Sequence, residues 1–173
     1  MIIGSSLIKE CPHCLKPFKQ WTTISQNTFG ASYWTDGRMM ARSYPDFPKL
    51  IKCPNCNNLL WIDEAKEIGE QRIPGGRDDE WPCVQDYLKP SESDYLAFLA
   101  AGNALDDKKI RYIRMRAWWA ANDYFREEPR RRKRRRLVLG QSIMTQDNMR
   151  ILFELLDQTD EKQRMLKAEN KPI

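Results

Sequence analysis

The chain has 173 residues, enough for one domain with a proper core or for two small ones. An apolar fraction of 41% fits a folded protein rather than a disordered one, and no run of about 18 apolar residues is present to span a membrane. The net charge of +5 is local: residues 1–90 carry eleven basic and eleven acidic side chains, and the positive excess comes from 130–136 alone.

Only eight residues precede Lys9, Glu10 and Cys11, which is too short for a signal peptide's apolar core and cleavage site, so a cytoplasmic protein is expected. Four of the five cysteines fall in two CxxC pairs, and Cys83 stands apart as a candidate small buried hydrophobe. In a reducing compartment that spacing points to metal binding before disulfides.

The expected fold class is α+β: a small β-rich zinc ribbon followed by an all-α domain of antiparallel helical hairpins. The ribbon is assigned to residues 1–68, with its β-rich part over 9–68. Phe18, Trp21 and Ile24 form an apolar stripe beside strand-forming Thr22 and Thr23. Asp36-Gly37, flanked by 31–35 and 38–43, signals a hairpin with a two-residue turn, and Gly37 supplies the positive φ. Pro45 and Pro48 end that strand. Residues 50–52 lead to the second cysteine pair, 59–62 reads as a closing strand, and 65–68 as a short helical piece.

Residues 69–90 hold Gly69, Pro74, Gly75, Gly76, Pro82 and Pro90, a linker composition, with Trp81, Val84 and Tyr87 available to dock part of it. From 91 to 173 the apolar period becomes helical. Ser91 or Ser93 caps a helix over 94–104. Asp106 or Asp107 opens a longer one with Ile110, Ile113, Ala117, Ala121 and Tyr124 on one face and Trp118 beside them, ending at Pro129. Thr145 is the expected cap of a third helix, with Met149, Leu152, Phe153, Leu155 and Leu156. Thr159 with Asp160 and Glu161 opens a last helix with a thin apolar face of Met165, Leu166 and Ala168. Arg111, Arg114 and Arg116 read as solvating.

Cys11-Pro-His-Cys14 and Cys53-Pro-Asn-Cys56 are knuckles of one kind. Two thiolates three residues apart on a tight turn reach one ion, and two such turns complete a tetrahedron. Cys11, Cys14, Cys53 and Cys56 are therefore the expected ligands of one structural Zn2+, a metal suited to soft sulfur donors. A redox pair of thioredoxin type would need a βαβ setting that the pattern lacks. His13, inside the first knuckle, is expected to face outward. On this basis Cys53→Ser is expected to unfold 9–68 while the helices persist.

Trp21, Tyr33, Trp34 and Trp61 are expected to build the core of the small ribbon, the rival reading being a stacking platform for bases, with Arg38 and Arg42 as the nearby cations. The run Arg130, Arg131, Arg132, Lys133, Arg134, Arg135 and Arg136 is either a solvated connection between helices or a binding segment for RNA, DNA, an anionic surface or an acidic protein. His13 is the only histidine, which argues against Ser-His-Asp or Cys-His catalysis, and Gly75-Gly76 lacks the setting of a phosphate loop.

The knuckles, the segments Asn27-Thr28-Phe29-Gly30 to Trp34-Thr35-Asp36-Gly37 and Leu59-Leu60-Trp61-Ile62, and Arg116-Ala117-Trp118-Trp119-Ala120-Ala121-Asn122-Asp123 together resemble uncharacterised bacterial proteins that join an N-terminal zinc ribbon to tetratricopeptide-like helices. The resemblance implies that fold and the four zinc ligands, and no activity. The functional expectation is a non-enzymatic, zinc-stabilised protein–protein interaction module, with another protein as partner. The alternative is nucleic-acid binding through 130–136 and the ribbon.

Overall fold

The computed structural model describes residues 1–71, 81, 83–102, 105–127, 143–156 and 159–169. The chain forms two compact units: one comprises Met1–Tyr33 and Met39–Pro90, and the other Trp34–Arg38 and Ser91–Ile173. Strands dominate the first and helices the second, so the architecture is mixed α and β.

The first unit is built on a three-stranded antiparallel sheet. Strand β1 (Ile2–Glu10) is central, between β2 (Pro17–Ser25) and β7 (Lys66–Gln71). Gly4, Ser6 and Ile8 of β1 are buried in alternation, the period-two signature of a half-buried strand. Two short ribbons complete the unit's strands: β3 (Ser32–Tyr33) with β4 (Met39–Met40), and β5 (Leu50–Lys52) with β6 (Leu59–Trp61). Of residues 65–68, expected to be helical, 66–68 instead form the start of β7. A 3-10 turn, Ile62–Glu64, precedes it, and pairing with β1 overrides the weak local helical preference.

Part of the expected linker belongs to this unit. Gly69–Gln71 lies in β7, and Trp81 covers Gly69 so closely that a Cβ there would stand 2.8 Å from the indole. Further on, Lys19 and Asp86 bridge, as do Lys52 and Leu88, and the Tyr87 ring enters the core. Pro74, Gly75, Gly76 and Pro82 lie outside the described residues.

In the second unit, α1 (Glu92–Ala100) starts from a complete capping box. Ser91 Oγ accepts from the Asp94 N–H at 3.2 Å, and Asp94 Oδ2 accepts from the Ser91 N–H at 2.9 Å. Helix α2 (Asp107–Glu127) is opened by Asp106, whose Oδ1 accepts the Lys109 N–H. Helix α3 (Ile143–Leu155) begins before Thr145, which therefore lies inside the helix and is not its cap. Helix α4 (Glu161–Glu169) is capped by Asp160, which accepts the Gln163 N–H at 3.0 Å.

Helix α2 is the hub, packing against both α1 and α3. Its Ile113, Ala117 and Trp118 are fully buried, and Trp118 meets Phe153 edge-on within a cluster that includes Leu152 and Leu156. The three arginines expected to be solvated have partners, because neighbouring helices surround α2 on several sides. Arg111 donates to Gln163, Arg114 to Asn148, and buried Arg116 to the Tyr95 hydroxyl. Asn148 returns a hydrogen bond to the Arg114 carbonyl, clipping α2 to α3.

Candidate metal centre

The first knuckle is the turn between β1 and β2, and the second is the turn between β5 and β6. The two are geometrically matched. In each, the first cysteine's N–H donates to a carbonyl five residues on: Cys11 to Lys16 at 3.1 Å, Cys53 to Asn58 at 2.9 Å. Each first cysteine's carbonyl accepts the N–H four residues on, from Leu15 at 2.9 Å and Asn57 at 3.0 Å. Those acceptor-closing residues, Leu15 and Asn57, both have positive φ, 57° and 60°. A left-handed residue at the same place in both turns is what folds the two thiols of each pair toward one point.

The four sulfurs converge. Cys11 Sγ lies 3.8 Å from Cys56 Sγ, Cys14 Sγ lies 3.8 Å from Cys53 Sγ, and all four are within 4.8 Å of one another. Four sulfurs each about 2.3 Å from a central ion in a tetrahedron stand about 3.8 Å apart. Contacts across the two knuckles match that spacing. The four cysteines can hold one metal ion, and four thiols make a soft donor set. His13 is exposed on the turn and is no part of the cluster.

The cluster is also the core of its unit. Cys11 and Cys53 are fully buried among Phe18, Ile51, Leu60, Ile62, Ala65 and Tyr87, with Cys14 and Cys56 packed against them. Burial pushes the Cys11 thiol up to about 12 in the metal-free protein and raises Cys56 as well. At Cys53 burial acts in the same sense, but N–H groups of Cys56 and Asn55 and hydrogen bonds from neighbouring thiols outweigh it and bring this thiol down to about 7. The Cys11 and Cys53 thiols thus differ in how readily they ionise, and a bound cation would displace the proton of each. Cys83, expected to be buried, is exposed.

The expected aromatic cluster does not gather. Trp21 packs edge-on against Phe47, Tyr33 is 74% exposed, and Trp34 belongs to the helical unit. Arg38 belongs there too and is buried, so it cannot serve an exposed stacking platform. The basic residues 130–136 lie outside the described residues.

What sequence reasoning missed is a polar cluster inside the helical unit, centred on Asp36. The Trp34 N–H donates to the Arg38 carbonyl and the Gly37 N–H to the Trp34 carbonyl, each at 2.9 Å. The connection is therefore a three-residue loop, Thr35-Asp36-Gly37, closed by Gly37 at φ +75°, rather than the expected two-residue turn. Trp119, Asn122, Asp123 and Arg126 recur on α2 at steps of three and four and form a polar stripe facing this loop. Trp119 Nε1 donates to the Asp36 carbonyl and Asn122 Nδ2 to Asp36 Oδ2, both at 2.9 Å, and Arg126 pairs with the same carboxylate. Arg126 also pairs with Asp123, which in turn lies 3.5 Å from Arg38 Nη2. Two carboxylates and two guanidiniums thus balance in a site buried except at Asp123, and the Arg38 guanidinium lies 4.9 Å from the Trp119 ring centroid. The i, i+3, i+4, i+7 spacing from Trp119 was visible in the sequence, but nothing there named its partner.

No protein-family model matches this chain, and no curated protein or solved structure matches it. Among the described residues, no helix is long and apolar enough to cross a membrane.

Proposed function

We propose that the chain is a non-enzymatic protein-interaction module whose β-rich unit is built around one structural zinc ion at Cys11, Cys14, Cys53 and Cys56. The observation that carries this reading is the closed set of four sulfurs, spaced for tetrahedral coordination, with Cys11 and Cys53 buried in the core and Cys14 and Cys56 packed against it. Four protein thiolates saturate such an ion and leave no position for substrate or water, so its contribution is folding energy. Zinc is favoured over other soft metals because it takes four thiolates without redox chemistry, which suits a reducing, cytoplasmic setting.

A protein partner is supported by the 38-residue segment between the knuckles. It displays Phe29, 92% exposed, and Tyr33, with Tyr44 also exposed. Aromatic side chains on a surface are the residues that carry binding energy when a partner covers them. The helical unit, read as tetratricopeptide-like from the resemblance, would offer a second surface. The test is a native affinity capture compared between the wild type and Phe29→Ala/Tyr33→Ala. A stoichiometric partner lost in the double variant supports the reading, and no partner, or one retained, contradicts it.

Nucleic-acid binding is the second reading, favoured by the concentration of positive charge in 130–136. It requires affinity for labelled DNA or RNA that falls steeply with salt and vanishes when those seven residues are made neutral. Absence of binding at low salt excludes it.

A further inference from the structure

Segment Trp34–Arg38 is built into the helical unit, although the chain on both sides of it, through Tyr33 and from Met39, belongs to the β-rich unit. The same segment lies between the two cysteine knuckles in sequence. We propose that metal occupancy at the four cysteines controls the stability of the helical unit through this segment, with Asp36 as its anchor. The inference rests on the reading that these cysteines hold a metal in the protein.

The helical unit contains Asp36 as a structural part: the carboxylate is buried and receives Asn122 and Arg126, while its carbonyl receives Trp119. Without it, the buried Arg126 keeps only the partly exposed Asp123 as counter-ion, and Asn122 and Trp119 lose their acceptors, which is costly inside a packed unit. The ends of the segment that supplies Asp36 are in turn fixed by the metal site. Cys14 and Cys53, 39 positions apart, are brought to 3.8 Å between their sulfurs, and a metal there closes the intervening chain as a clip. Finally, the strands that carry the segment are short: β3 and β4 are two residues each. Such a ribbon does not hold itself together in water. Removing the clip leaves the ends to the β1–β2 and β5–β6 pairings alone, which loosens them and lowers the effective concentration of Asp36 at the α2 stripe.

Linkage makes the effect reciprocal. If metal strengthens the docking of Asp36, docked Asp36 must strengthen metal binding by the same factor. On this proposal Cys53→Ser, expected to unfold 9–68 while the helices persist, also loosens α2.

The experiment measures amide hydrogen exchange of α2 in metal-loaded and chelator-treated wild type, and metal affinity by competition in the wild type, Asp36→Ala and Trp119→Phe. Trp119→Phe keeps an aromatic ring and the Asp36–Arg126 pair while removing the N–H donated to the Asp36 carbonyl and shrinking the ring beside Arg38, so it remains informative if Asp36→Ala does not fold. The expected results are α2 exchange roughly tenfold faster after chelation, and metal affinity lowered several-fold in Trp119→Phe and more in Asp36→Ala. Exchange of α2 unchanged by chelation while β1 and β5 lose protection would overturn the coupling and leave the metal reading intact. Wild-type protein that binds no metal at all would overturn both.

Discussion

The carboxylate of Asp36 and the guanidinium of Arg126, ninety positions apart in the chain, form an ion pair in which both side chains are at most 5% exposed. The Arg38 N–H and Asn122 add hydrogen bonds to the carboxylate and the Trp119 indole adds one to the carbonyl, so both acceptor groups of Asp36 are engaged. Truncating Asp36 removes the most buried counter-ion of Arg126 and leaves it Asp123 alone, so Asp36→Ala is expected to destabilise the helical unit by about 3 kcal/mol. Unfolding followed by far-ultraviolet circular dichroism checks this, and a loss below about 1 kcal/mol would mean that the pair is not formed in solution.

Gly37 closes the loop that presents Asp36. Its φ of +75° is costly for a residue with a side chain, and an added Cβ would stand 3.0 Å from Leu166 of α4. Gly37→Ala should therefore cost about 1 kcal/mol or more, read as a lower denaturation midpoint with an unchanged slope. Gly30, also at positive φ but with open space around it, provides the comparison: Gly30→Ala isolates the backbone cost from the Leu166 contact.

The Ser91–Asp94 capping box predicts a smaller, local effect. Ser91→Ala removes the acceptor for the Asp94 N–H and should cost about 1 kcal/mol, with faster amide exchange confined to the first turn of α1. An equal loss of protection throughout α2 and α3 would show that the cap does more than close its own helix.

Metal uptake should shed protons. Burial keeps Cys11 and Cys56 protonated in the metal-free protein near neutrality, and both must become thiolates to bind. Release is expected to reach at least about two protons per ion near pH 7, measured with an indicator dye in weak buffer. Because binding expels protons, acid opposes it, and the apparent affinity must weaken as pH falls. Uptake without proton release would exclude thiolate coordination.

The convergence of Cys11, Cys14, Cys53 and Cys56 was legible in the sequence because two CxxC pairs are a local signal: three-residue spacing on a tight turn dictates where the sulfurs point. The capped starts of α1, α2 and α4 were legible for the same reason, since Ser91, Asp106 and Asp160 act within one turn of chain. The helical reading of 65–68 failed because its strand conformation is imposed by β1, nearly sixty positions away. The solvated reading of Arg114 and Arg116 failed because an arginine's pattern does not reveal that Asn148 or Tyr95 stands opposite it. Segment 34–38 was read correctly as a turn and incorrectly as a two-residue one. Its place in the helical unit depends on pairings with α2 that no local period encodes.

The account turns on four sulfurs around one zinc ion, and X-ray absorption at the zinc edge of the purified protein tests that most directly. One zinc per chain with four sulfur neighbours at about 2.3 Å is the predicted result. Oxygen or nitrogen in the first coordination sphere would contradict the closed site, and a protein without zinc would contradict the account at its base.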